Sequence, residues 1–225
     1  MANKKTPKKK SNRQSYVIGI IALVIIVIGA YAVIRAPGSQ TANQSTNPTA
    51  TPTTSPTSTA TSSSAPGTKV LLQTTAGNIT IQLATDKPIT TANFINIVQK
   101  GWFDGTIFHR VIAGFMIQGG QISQTVPAIQ DEIGTNNRNL PYTIAMAKTN
   151  QPNSATSEFF INVADNGQKY APSFDSTYTV FGTVIAGKDV VDAIANAQKT
   201  ENPNIPGEMS VPVNPVTIIK ASIIP

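Results

Sequence analysis

A chain of 225 residues without cysteine can fold as one or two domains, and it has no disulfide, no thiolate nucleophile and no Cys-based metal site. Its one histidine, His109, removes multi-His metal centres and leaves little room for a Ser–His–Asp arrangement. The formal charge of +6 is concentrated in Lys4, Lys5, Lys8, Lys9, Lys10 and Arg13; beyond Arg35, 10 basic residues face 11 acidic ones, so no nucleic-acid-binding surface is expected on the folded part.

Residues 1–15 therefore form a basic tip. Residues 16–34 read YVIGIIALVIIVIGAYAVI, 19 consecutive residues without a charge. As a helix this run is roughly 28 Å long, close to the hydrocarbon thickness of a bilayer. Positive charge precedes it and only Arg35 follows closely, so segment 16–35 is expected to be a single transmembrane anchor, with the N-terminus cytoplasmic and the remainder exported. The alternative is a signal peptide cleaved near Ala30-Tyr31-Ala32, which would make the mature protein secreted. Residues 36–67 hold 7 Ser, 9 Thr and 5 Pro in 32 positions, with no charge and no large apolar side chain. Such a tract cannot bury enough surface to offset its ordering entropy, and is expected to be a disordered linker of about 30 Å.

Residues 68–225 are long enough for one sizeable core. Val70 to Thr74 and Ile79 to Leu83 read as strands, with Gly77-Asn78 between them marking a hairpin turn. Thr90 and Thr91 are candidate caps of a helix carrying Phe94, Ile97 and Val98 on one face and stopped by Gly101. A second helix is expected over Lys188 to Ala197, with Val190, Val191 and Ile194 facing inward. Short apolar strands punctuated by Gly, Pro and Asn fill the rest, and Val216 to Ile219 reads as the last. Many strands with two separated helices suggest a mainly β fold, a closed barrel with helical caps.

The stretch Phe108-His109-Arg110-Val111-Ile112-Ala113-Gly114-Phe115-Met116-Ile117-Gln118-Gly119-Gly120 sets one cation, two large apolar side chains and an amide close together. On strands, residues two apart share a face, so Arg110 and its neighbours can line one groove. Ser157-Glu158-Phe159-Phe160-Ile161 adds an aromatic pair on another strand. An apolar floor edged by one guanidinium suits an apolar ring attached to a polar amide, as in a peptide proline. Gly119-Gly120 reads as a tight turn, since neither Lys nor a helix signal follows as a phosphate loop would need.

Over nearly all of residues 68–225 the sequence resembles the cyclophilin family of peptidyl-prolyl isomerases. The resemblance rests on Thr91-Ala92-Asn93-Phe94, Phe103-Asp104-Gly105-Thr106, the FHRVI and GFMIQGG blocks, Asp131-Glu132, Ala145-Met146-Ala147, Ser157 to Ile161 and Tyr178-Thr179-Val180-Phe181-Gly182, in the family's order. It implies a closed eight-stranded antiparallel barrel capped by two α-helices. It also implies that Arg110 is the catalytic arginine and Gln118 the glutamine that orients it, and that Phe115, Met116 and Phe160 receive the proline ring. Ala147 and Lys148 match a strand edge whose backbone holds the substrate, Phe174 a pocket position that is usually leucine, and Tyr178 a rim position often filled by histidine.

Some positions depart from the family. Glu158 stands where glutamine is usual, and an ionised carboxylate there cannot donate an amide hydrogen bond and would set a negative charge near Arg110. Residues 121–125 lack the usual Asp and glycines, residues 166–173 form an insertion, and Ser173 replaces a tryptophan of some members, so strong cyclosporin binding is not expected. On a strand His109 points away from Arg110, which favours a structural role. The expected function is isomerisation of X–Pro bonds in exported or cell-surface polypeptides, assisting their folding, by a monomeric domain that needs no cofactor and no metal. The alternative is a non-catalytic proline-peptide-binding or chaperone module on the same fold.

Overall fold

The computed structural model describes residues 67–225. The basic tip, the expected anchor and all but the last residue of the Ser/Thr/Pro tract lie outside the described residues. Among the described residues no helix is long and apolar enough to cross a membrane.

Strands β1 (Lys69–Thr74) and β2 (Gly77–Leu83) form the expected hairpin. Its turn is Thr75-Ala76, not Gly77-Asn78, because the Thr74 hydroxyl donates to the Gly77 carbonyl at 2.6 Å and accepts from the Ala76 N–H at 3.1 Å. Gly77 is needed for another reason: its φ is 131°, and a Cβ there would stand 2.8 Å from Val190 Cγ2.

Helix α1 (Pro88–Gln99) buries Phe94, Ile97 and Val98, and Gly101, with φ of 66°, ends the run. Its start differs from expectation. Thr90 and Thr91 lie inside the first turn, with Pro pre-set at its head, and the cap comes from elsewhere in the chain. One Glu132 carboxylate accepts from the N–H groups of Ile89 (3.1 Å) and Thr90 (2.8 Å) and from the Thr90 hydroxyl (2.7 Å). A carboxylate there satisfies orphan donors and meets the positive end of the helix dipole.

The chain continues through β3 (Arg110–Ile112), β4 (Met116–Gly119), β5 (Thr143–Met146), β6 (Phe159–Asn162), a one-turn helix α2 (Asn166–Lys169), β7 (Val180–Ala186) and α3 (Lys188–Ala195). A small hairpin, β8 (Lys199–Glu201) and β9 (Met209–Pro212), precedes the last strand, β10 (Ile218–Ile224). The two expected helices are therefore joined by a third, short one inside the 166–173 insertion.

Eight strands form one curled antiparallel sheet in the order β10-β1-β2-β7-β5-β6-β4-β3. The first and last strands of the chain lie side by side, with Lys69 opposite Ile224. The barrel is not closed, contrary to expectation. Edge strands β3 and β10 share no ladder; the gap is spanned by an isolated bridge, Ile107 to Thr217, and by bonds such as Ile218 N–H to the Thr106 carbonyl at 2.8 Å. The chain reaches β3 through the turn around Gly105, whose φ is 81°, and so offers too few extended residues for continuous pairing.

Period-two alternation sorts side chains between two clusters. Val111, Ile117, Ile144, Met146, Phe159 and Ile161 enter the main core, where Phe94 packs against Phe103 and Phe181 at 5.1 Å and edge-on to Phe159 at 5.6 Å. Met116, Ala145, Ala147 and Phe160, one residue out of phase, join Phe115, Phe174 and Tyr178 in a second cluster on the opposite face. That second face carries the cleft.

Candidate active site

Arg110, Phe115, Met116, Gln118, Ala147, Phe160, Phe174 and Tyr178 line one shallow, mainly apolar cleft. The ladder explains the grouping. Arg110 lies opposite Gln118, Gln118 opposite Phe160, and Phe160 opposite Ala145, so one row crosses β3, β4, β6 and β5 on a single face. Phe174 packs on Phe115 (5.8 Å), Phe160 (6.1 Å) and Tyr178 (4.7 Å), closing the wall from the loop side.

Buried amides hold these loops in place. The Phe115 carbonyl accepts from Asn166 Nδ2 at 2.7 Å and from Val163 N–H at 3.0 Å. Asn166 also donates to Asn162 Oδ1 at 2.6 Å, and Asn162 in turn to Thr143 Oγ1 at 2.9 Å. Asn137 Nδ2 donates to the carbonyls of Asp175 and Tyr178, while its oxygen accepts from Val180 N–H. Each amide spans two chain segments, so the network fixes the separation of the aromatic walls. The turn at Gly120 is equally constrained: its φ is 79°, and a Cβ would lie 2.7 Å from the Phe159 ring.

Arg110 is only 6% exposed, yet it borders the cleft. Its Nε donates to Glu208 Oε1 at 2.8 Å and its Nη2 to Glu208 Oε2 at 2.7 Å, a side-on bidentate pair. Nη1 is buried and has no hydrogen-bond partner among the described residues. Burial pushes the Glu208 carboxyl up, but hydrogen bonds from Arg110 and Ser210 and the Arg110 charge outweigh it, and its pKa lies below the usual value. Burial raises the Tyr178 phenol, an effect that the Arg110 charge partly offsets.

Of the remaining expected site residues, Gln118 lines the cleft, while Glu158 and Lys148 are not among its lining residues. Gln118 turns its amide nitrogen to Glu158 Oε2 at 2.7 Å, and the hydrogen bonds on the guanidinium are those of Glu208. Glu158 does not line the cleft; its carboxylate lies between Gln118 and His109 Nε2, at 3.4 Å from the latter. Burial acts to raise the Glu158 pKa, but the hydrogen bond and charge of His109 and the Gln118 amide bring it below the usual value. Lys148 also stays outside, its ammonium held by Asp131 at 2.7 Å. Sequence reasoning missed Glu208, Asn137 and Asn166. Glu208 stands 98 residues from Arg110 in a stretch rich in Pro, Asn and Gly, without a periodic pattern to mark it.

An apolar cleft with a guanidinium in its wall suits an apolar ring joined to a polar amide. Comparison with known proteins names the family. Residues 69–223 match the family model described as cyclophilin type peptidyl-prolyl cis-trans isomerase/CLD. The chain is 45% identical over 169 residues to peptidyl-prolyl cis-trans isomerase A of Dickeya dadantii, covering 72% of this chain and 87% of that one. It is 47% identical over 165 residues to a peptidyl-prolyl cis-trans isomerase of Streptomyces antibioticus, covering 69% of this chain and 98% of that one. A crystal structure of a Cryptosporidium parvum cyclophilin superposes with a TM-score of 0.61 at 23% identity, covering 71% of this chain and 98% of the other, a likeness of fold. The chain belongs to the cyclophilin-type peptidyl-prolyl cis–trans isomerase family.

Proposed function

We propose that this cyclophilin-type isomerase turns X–Pro bonds of exported or cell-surface polypeptides, with Arg110 as its catalytic residue. The observation that carries the reading is the unpartnered Nη1 of a buried guanidinium beside an apolar, aromatic cleft. Amide resonance sets a barrier near 18–20 kcal/mol, and the unaided bond isomerises over tens to hundreds of seconds. Millisecond turnover needs roughly 6–7 kcal/mol off that barrier. No bond is made or broken, so neither nucleophile nor general base is required.

The proline ring sits on Phe115, Met116 and Phe160, which fixes one side of the bond while the other rotates. As the amide twists, the lone pair of the prolyl nitrogen localises and accepts a hydrogen bond from Arg110. That bond is weak to a planar amide and strong to a twisted one, the differential that accelerates the step. Glu158 can only accept, so Gln118 gives it the amide nitrogen. The 19-residue apolar run anchors the chain in the cell membrane, the Ser/Thr/Pro tract spaces the monomeric domain from it, and the clients are proline-containing chains on the extracytoplasmic side.

The test is cis–trans exchange of an Ala-Pro peptide, followed by NMR, for wild type beside Arg110→Ala. The expected result is a loss of roughly 100-fold or more in kcat/KM, the scale of removing one donor to developing charge. Equal rates would leave a binding module without turnover.

A further inference from the structure

We propose that Glu208 is the positioning residue for Arg110, the group that holds the guanidinium in one plane and leaves Nη1 alone to serve the reacting bond; this rests on the isomerase reading above. The pairing itself is specific. A side-on contact through Nε and Nη2 engages both carboxylate oxygens and leaves no torsional freedom about Nε–Cζ. It also assigns the nitrogens. Nη1 lies on the far side of Cζ from the carboxylate, buried and without a partner among the described residues.

The carboxylate is itself held. Glu208 N–H donates to the Ile205 carbonyl at 3.0 Å, and its carbonyl accepts from Asn202 N–H at 2.7 Å, so both backbone groups are tied into the β8–β9 turn. Gly207, with φ of 82°, gives its N–H to Glu201 Oε1 at 2.7 Å, fixing the direction in which residue 208 leaves the turn. Asn202 and Ser210, both buried, hydrogen-bond to each other at 3.0 Å beside the hairpin, and both act to lower the Glu208 pKa. Glu208 is absent from the cleft lining. It therefore acts through Arg110, and its contribution is pre-organisation: an arginine left to find its orientation on each encounter would lose the aligned fraction of its donors.

The opposing account is that the pair merely staples the β8–β9 hairpin to β3. The experiment compares wild type, Glu208→Gln and Glu208→Ala in the full chain, with Arg110→Ala alongside, at temperatures well below melting. Three quantities are read: kcat, KM for an Ala-Pro peptide, and the side-chain Nη signals of Arg110 by NMR. In Glu208→Gln the expected result is a kcat lower by about tenfold with KM changed less than about twofold, since substrate contacts are retained while alignment is lost. The Nη signals, resolved in wild type by hindered rotation, should average in the variant. Should Glu208→Ala fail to fold, the near-isosteric Glu208→Gln still decides. A folded Glu208→Gln with unchanged kcat, or with KM alone raised, overturns the proposal and leaves a staple. Unchanged activity in Arg110→Ala would instead overturn the isomerase assignment of the cleft.

Discussion

Arg110 illustrates how a surface-type residue becomes useful when it is nearly buried. Its charge is balanced side-on by Glu208, and one terminal nitrogen, buried, has no hydrogen-bond partner among the described residues. Lysine could supply the charge but neither the fork that meets both carboxylate oxygens nor a second donor at a fixed angle. Arg110→Lys is therefore expected to lower kcat/KM by roughly 10- to 100-fold in the peptide-exchange assay. The motif residues Arg110, Phe115, Met116, Gln118 and Phe160 were legible in the sequence because strand parity and one dense block bring them together. Glu208 was not, since only the folded chain sets the β8–β9 hairpin beside β3. The same holds for Glu158, whose charge was expected near Arg110 and instead meets His109 and Gln118.

At the scale of single elements, β6 shows what alternation does when both faces of a strand are covered. Phe159 packs edge-on against Phe94, Phe103 and Phe108, while its neighbour Phe160 faces Phe174 and Tyr178 in the cleft. Phe159→Ala should cost about 3–5 kcal/mol of unfolding free energy, measured by denaturant titration. Phe160→Ala should cost less and act mainly by raising KM, because its ring borders a cleft that is partly open. Helix α1 teaches a related lesson. Thr90 and Thr91 have the composition of caps, yet a carboxylate 42 residues away takes the N-terminus. Local propensity marked that a helix begins there but could not foresee a tertiary acceptor. Glu132→Gln should lower stability by about 1 kcal/mol with little change in peptide turnover.

For the whole molecule, the carboxylates that brace the site link stability to acidity. Glu158 and Glu208 both titrate below the ordinary carboxylate value in the folded state. The unfolded chain therefore takes up protons first on acidification. The stability these groups contribute is present at neutral pH and is lost as pH falls from the ordinary carboxylate range through their lowered values. Thermal melts between about pH 7 and about pH 3 should show a falling midpoint, with a shallower fall in Glu208→Gln, where one of the two groups no longer titrates. The mainly β character was readable from short apolar runs between Gly, Pro and Asn, and the eight strands of the main sheet from the family resemblance. The open seam between β3 and β10 was not, because it depends on where the turn at Gly105 delivers the chain.

The adjacency of β1 and β10 has a consequence for engineering. Lys69 Nζ reaches the Pro225 carbonyl at 2.9 Å, so a few glycines would splice the final residue to the start of the domain. New ends could be cut between the exposed Thr135 and Asn136, in a turn that belongs to no strand. Such a permuted chain would keep every rung of the sheet, since the cut falls between β4 and β5.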